Sequence, residues 1–242
     1  MLELYDISWS VPEGRQVLRN VSLSIADSGL TVITGPNGGG KTTLAKIIAG
    51  IVKPDSGRIV LDGEEITELD VTERARRGIA YAFQQPVRFK GITVRDLLEI
   101  ASGDDLPEAE LCSLLSKVGL CARDYKDRDV NASLSGGEIK RVEIASVLAR
   151  KAKLTIFDEP EAGIDLWSFT GLIEAFQEIK KDPDRAEIII SHQERILNVA
   201  DRVVIIEDGM VKENGKREDV LPHLLPSVSC PVKQVEMGGE RL

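Results

Sequence analysis

Gly35-Pro-Asn-Gly-Gly-Gly-Lys41-Thr42 stands between an apolar run, Leu30-Thr-Val-Ile-Thr34, and a helix pattern from Lys41 to Ala49. The octapeptide has the spacing G-x-x-x-x-G-K-[ST], and a strand before it with a helix after it is the context that this spacing requires. The segment constrains the fold because it asks for a phosphate site beyond the carboxyl end of a buried strand. Gly35, Pro36, Asn37, Gly38, Gly39 and Gly40 are expected to turn successive backbone N–H groups toward phosphate oxygens, with the positive helix end behind them. Lys41 is expected to bridge the β- and γ-phosphates, Thr42 to ligate Mg²⁺ and Thr43 to touch the α-phosphate. By itself the loop specifies only a nucleotide.

The remaining pattern supplies an α/β frame. Two strand patterns open the chain, with Pro12-Glu-Gly-Arg15 as the turn between them. Further strands are expected at 58–61, 79–83, 154–157, 188–190 and 203–206, and helices at 71–77, 167–180 and 194–199. Their alternation implies a mainly parallel sheet flanked by helices. From Thr93 to Leu120 apolar residues recur at helical spacing with no strand-like run between them, which reads as an inserted helical segment. The expected organisation is one domain over residues 1–242. Residues 1–84 and 153–242 form its nucleotide-binding core, 85–152 a helical subdomain and 222–242 a Pro-containing tail.

In such sheets ligands collect at the carboxyl strand ends, so polar residues there are the candidates. Leu154-Thr-Ile-Phe157 ends in Asp158 and Glu159. Asp158 is expected to hold the magnesium through its water shell, and Glu159 to position and polarise the attacking water. His192 directly follows the strand pattern 186–191 and can reach the γ-phosphate or that water. Gln84, at the end of the strand at 79–83, can ligate magnesium or orient water.

Leu134-Ser-Gly-Gly-Glu138 precedes a helix pattern from Ile139 to Arg150 and resembles the signature of the ABC family. Ser135 can cap that helix while Gly136 and Gly137 expose N–H groups to a phosphate, a second anion grip like the first. The resemblance extends along nearly the whole chain and implies an ABC ATP-binding cassette. That means a P-loop NTPase core of RecA-like type, an N-terminal antiparallel β part and an inserted helical subdomain. It also implies hydrolysis of ATP with Mg²⁺, and a head-to-tail homodimer that sandwiches ATP, with Asp165 of Ala162-Gly-Ile-Asp165 at the contact. In one respect the chain departs from the family: no aromatic stands at Val11 or Pro12 to stack on adenine, and the nearest is Trp9.

Three stretches are similar to SufC, the cassette group of iron–sulfur cluster assembly. They are Tyr81-Ala-Phe-Gln-Gln-Pro-Val87 with Lys90-Gly-Ile-Thr93, Ser135-Gly-Gly-Glu-Ile-Lys-Arg-Val-Glu143, and Asp158-Glu-Pro-Glu-Ala-Gly-Ile-Asp165. This likeness implies a SufB- or SufD-like scaffold as partner, the alternative being the ATP-binding subunit of a membrane transporter. By the same analogy Glu161 pairs with Lys140 at rest; the other reading is two unrelated surface charges. A net charge of −9 and a pI near 5 argue against nucleic acid as partner. No apolar run approaches the roughly 20 residues of a membrane helix, and the N-terminus lacks a signal pattern, so a cytoplasmic location without membrane insertion is expected. Cys112, Cys121 and Cys230 have neither zinc nor redox spacing and are read as reduced thiols.

Overall fold

The computed structural model describes residues 1–85, 87–131 and 133–224, with the backbone alone for Leu166 and Trp167. Strands β1 (Leu2–Ser10), β2 (Gln16–Ile25), β4 (Ser56–Leu61) and β5 (Glu64–Glu65) form an antiparallel sheet in the order β2-β1-β4-β5. The second sheet runs β10 (Met210–Lys216), β9 (Arg202–Glu207), β3 (Gly29–Thr34), β8 (Ala186–Ile190), β7 (Leu154–Asp158) and β6 (Ile79–Ala82). Its pairings are parallel from β9 through β6, and β10 adds an antiparallel edge.

The parallel strands are covered on both faces, which is why they read as continuous apolar runs rather than alternating ones. Ile33, Ile156, Ile188 and Ile190 join helix α1 (Lys41–Ile48) and the antiparallel sheet in one core cluster. Val32, Phe157, Ile189 and Val203 face the other cluster, with α7 (Leu166–Ile179), α8 (Glu194–Val199) and α9 (Arg217–Leu224). Helix α2 (Val71–Arg76) carries Arg74, 1% exposed, whose guanidinium donates to the carbonyls of Leu69, Ile47, Ile48 and Thr67 and so closes the C-terminal end of α1.

Between β6 and β7 stand α3 (Val94–Ser102), α4 (Glu108–Lys117), α5 (Ala122–Tyr125) and α6 (Gly136–Ala149). Val94, Leu98, Leu111, Leu115, Val142 and Ala145 are all buried and share one cluster, the helical stripe expected of this segment. Capping boxes start α3 (Thr93 with Asp96) and α6 (Ser135 with Glu138), each closing two otherwise orphaned N–H groups.

Register brings the strand ends to one level: Thr34 lies opposite Ile205, Ile33 opposite Ile190, Asp158 opposite Ile190, and Ala82 opposite Phe157. The sequence pattern did not predict β5 or β10. β10 is an edge strand, Met-Val-Lys-Glu-Asn-Gly-Lys, whose residues alternate only between exposed and half-buried, so it carries no apolar face to detect. The last helix begins at Arg217 rather than past Asp219; residues 225–242, including Cys230, lie outside the described residues. Among the described residues no helix is long and apolar enough to cross a membrane.

Candidate functional site

The phosphate loop is shaped by close backbone approach. Gly35 has φ 131°, and a Cβ there would lie 2.1 Å from the Ile206 carbonyl oxygen at the end of β9. Gly40, the N-cap of α1, has φ 103°, and a Cβ would press on the Leu18 side chain at 2.6 Å. Only glycine takes both positions without strain. Lys41 is 6% exposed and its ammonium donates to the carbonyls of Gly35 at 2.8 Å and Pro36 at 2.9 Å, folding the loop around it. Burial lowers the pKa of this ammonium, while the carboxylates of Glu159 and Asp158 pull it back up.

At the end of β7, Asp158 is fully buried and both its oxygens are held. Oδ1 accepts from the Thr42 hydroxyl at 3.0 Å, and Oδ2 accepts from the Tyr81 hydroxyl at 2.8 Å. Burial, reinforced by the Asp158 charge, pushes the Tyr81 phenol well above its usual pKa, so it stays a donor. Glu159 adopts φ 47°, in the left-handed region that an L-residue visits at a cost, and its N–H donates to the Ile190 carbonyl at 3.0 Å. That turn lifts the Glu159 side chain off the sheet and toward β6 and β8. Gln84 Nε2 donates to its Oε2 at 2.6 Å, and His192 Nε2 stands 3.9 Å from Oε1.

A cavity of about 550 Å³ opens here, lined by Asn37, Gly38, Gly40, Lys41, Thr42 and Thr43, by Gln84, Glu159 and His192, and by the hairpin residues Trp9, Val11, Arg15 and Val17. Its size is that of a small-ligand site. The hairpin contributes Trp9 from the end of β1, Val11 and Arg15 from the turn and Val17 from β2, and Val11 N–H donates to the Arg15 carbonyl across the turn. The hairpin side of the cavity thus carries an indole, two aliphatic side chains and a guanidinium.

The structure therefore gathers Asn37, Gly38, Gly40, Lys41, Thr42, Thr43, Gln84, Glu159 and His192 around one space, with Asp158 held beneath it by Thr42. Gly35, Pro36 and Gly39 form the underside of the loop; a Cβ on Gly39 would meet the Ile206 carbonyl oxygen at 2.9 Å. Ser135, Gly136 and Gly137 lie at the start of α6 and do not line this cavity. Asp165 holds the first turn of α7, accepting from Ser168 N–H at 3.0 Å and from the Ser168 hydroxyl at 2.7 Å, and it lies 3.5 Å from Arg141. Tyr81, Arg15 and Ser191 escaped the sequence reading. Tyr81 sits inside a strand read as apolar, and only its register beside β7 puts its hydroxyl on Asp158.

Neither reading of Glu161 and Lys140 holds: they do not pair, and Lys140 is no surface charge. Ser191 Oγ donates to Glu161 Oε1 at 2.5 Å, and burial raises the Glu161 pKa. Lys140, 1% exposed, turns instead to the end of β6. The oxygen donors Thr42 and Asp158 suit a hard divalent cation, with Asp158 fixed on both sides and Gln84 across the cavity, so the residues present fit magnesium.

Residues 18–162 match the family model described as "ABC transporter". An uncharacterised ABC transporter ATP-binding protein of Methanocaldococcus jannaschii is 38% identical over 214 residues, covering 85% of each chain. The energy-coupling factor transporter ATP-binding protein EcfA2 of Thermotoga maritima is 34% identical over 95% of this chain and 88% of its own. Among solved structures, cbiO1 of Clostridium perfringens, part of the transporter complex cbiONQ, superposes with a TM-score of 0.75 at 30% identity, covering 92% of this chain and 91% of that one.

Proposed function

This chain belongs to the ABC transporter family and is an ABC ATPase cassette, and from that premise we propose that it is the ATP-hydrolysing subunit of a membrane transporter. The observation that carries the proposal beyond the family is a shallow apolar groove of about 140 Å³ beside Gln84, lined among others by Tyr81, Phe83, Val87, Phe89, Leu97 and Val147. Phe83, Val87 and Phe89 are 39%, 46% and 38% exposed. Three large apolar residues left open together mark a surface for a partner segment. The names of the relatives, ATP-binding proteins of transporters, support a transmembrane partner over the SufB- or SufD-like scaffold to which the likeness to SufC had pointed.

In the proposed reaction, water attacks the γ-phosphorus of ATP in line with the leaving ADP oxygen. The loop N–H groups and Lys41 hold the β- and γ-phosphates, and Glu159 orients the water and draws on its proton. His192, on the far side of Glu159, donates to the γ-phosphate. Thr42, Asp158 and Gln84 would hold magnesium, which supplies charge neutralisation at the phosphates when bound. Since the Ser135–Gly137 grip does not line the cavity of its own chain, we assign it to the nucleotide of a second copy packed head to tail, with Asp165 at the contact. The subdomain assigned to residues 85–152 carries the grip and, together with Tyr81 and Phe83 at the end of β6, lines the groove.

Affinity capture of the chain from detergent-solubilised membranes and from the soluble fraction tests the partner. A polytopic membrane protein retained stoichiometrically is the expected result. A soluble scaffold carrying iron and sulfide, with no membrane protein, would replace the transporter reading with the SufC-like one.

A further inference from the structure

Lys140 and Glu143 are three residues apart on α6, and neither takes part in the chemistry above. Lys140 is 1% exposed, a rare place for an ammonium group. Its Nζ donates to the Phe83 carbonyl and, at 3.4 Å, to the Gln84 carbonyl. Glu143 Oε1 accepts from the Phe83 N–H at 3.0 Å, and its Oε2 lies 3.3 Å from Lys140 Nζ. One helix thus holds the N–H and carbonyl of Phe83 together with the carbonyl of Gln84.

This grip lies just where β6 stops. The last registered pair of the edge strand is Ala82 with Phe157, so Phe83 and Gln84 have no sheet ladder to fix them. Without α6 their backbone groups would be free to move, and the Gln84 amide with them. In the structure that amide sits 2.6 Å from Glu159 Oε2. On the other side, Phe83 and Glu143 line the apolar groove. A continuous set of contacts therefore runs from the groove through Phe83 and the α6 pair to Gln84 and on to Glu159.

We propose that Lys140 and Glu143 are positioning residues. They form a buried clasp that sets where Gln84 meets Glu159 and where it would meet a bound metal. The proposal rests on Gln84 acting as a site residue in the hydrolysis described above. It also gives a use to the basic-then-acidic run after the signature. Within that run Lys140 and Glu143 face inward on the end of β6.

A double-mutant cycle on the full chain tests it, with Mg-ATP hydrolysis normalised to the number of sites that bind ATP. Glu143→Ala removes one hydrogen bond to Phe83 and is expected to lower kcat about tenfold and raise the half-saturating Mg²⁺ about fivefold. Gln84→Ala is expected to do at least as much. If the clasp acts through Gln84, the double variant falls within about twofold of Gln84→Ala alone. Effects that multiply instead, to about a hundredfold, would overturn the proposal, because the clasp would then be acting elsewhere. Should Glu143→Ala not fold, Glu143→Gln carries the same cycle: its amide oxygen can still accept from the Phe83 N–H, but its amide nitrogen then faces the Lys140 ammonium, so the clasp is weakened. It is expected to lower kcat about fivefold in the wild-type background and less than about twofold in Gln84→Ala, and the same loss of about fivefold in both backgrounds would overturn the clasp. A wild-type chain that does not hydrolyse Mg-ATP would contradict the proposed function, whereas multiplying effects in an active chain refute the clasp alone.

Discussion

Glu187 is buried in the parallel sheet without a hydrogen-bond partner, and replacing it should make the protein more stable in a pH-dependent way. It sits on β8 between Leu30 of β3 and Thr155 of β7, is 1% exposed, and neither carboxyl oxygen has a hydrogen-bond partner. Burial pushes its pKa from 4.5 to about 8, with the Arg185 charge opposing only in part. Between those values the folded protein holds a proton that the unfolded chain has released, so stability falls as pH rises. At about 1.4 kcal/mol per unit, raising the pH from 5 to 8 should remove about 4 kcal/mol through this group. Glu187→Met keeps the length of the side chain and takes away the charge. Urea unfolding of both proteins at a series of pH values isolates the contribution, since every other titration is common to the two. The Met variant should be more stable throughout, and its advantage should widen by about 4 kcal/mol from pH 5 to pH 8. A constant difference across that range would refute the reasoning and mean that Glu187 finds a partner or solvent.

Two further outcomes follow from the site. Tyr81→Phe deletes one of the two hydrogen bonds on Asp158, so half-saturating Mg²⁺ in ATP hydrolysis should rise about five-fold, roughly 1 kcal/mol, with KM for Mg-ATP at saturating Mg²⁺ little changed; an unaltered Mg²⁺ profile would remove Tyr81 from the site. Trp9→Ala should raise KM for ATP by about five- to tenfold at constant kcat, the loss of about 1 kcal/mol of stacking against the hairpin wall. The same KM in wild type and variant would place the base elsewhere.

What could be read from the sequence was whatever is local to a strand end. The phosphate loop, the acids at the end of β7 and the signature before α6 each join one element to the next, and their residue types mark them as candidates without knowledge of the neighbours. The sequence brought Thr42 and Asp158, 116 positions apart, to one metal, and the structure joins them directly by a hydrogen bond. Contacts made across the sheet could not be read. Tyr81 and Glu187 sit in runs that look uniformly apolar, and only their register reveals a hydroxyl on Asp158 or an unpaired carboxyl. The pairing of Lys140 with Glu161 came from the likeness to SufC and does not form, because the end of β6 that Lys140 meets depends on how α6 packs. The three SufC-like stretches show the limit of short motifs: they describe features of a site, and the partner is a property of the groove beside it.

Glu159→Gln in the presence of Mg-ATP tests the central claim most directly, read as the hydrolysis rate and as molecular mass by light scattering. Removal of the group proposed to orient and deprotonate the water should lower the rate about a hundredfold or more while ATP still binds, so the complex should accumulate at twice the mass of the monomer. A variant that hydrolyses ATP at the wild-type rate, or that stays monomeric at saturating Mg-ATP, would contradict the account.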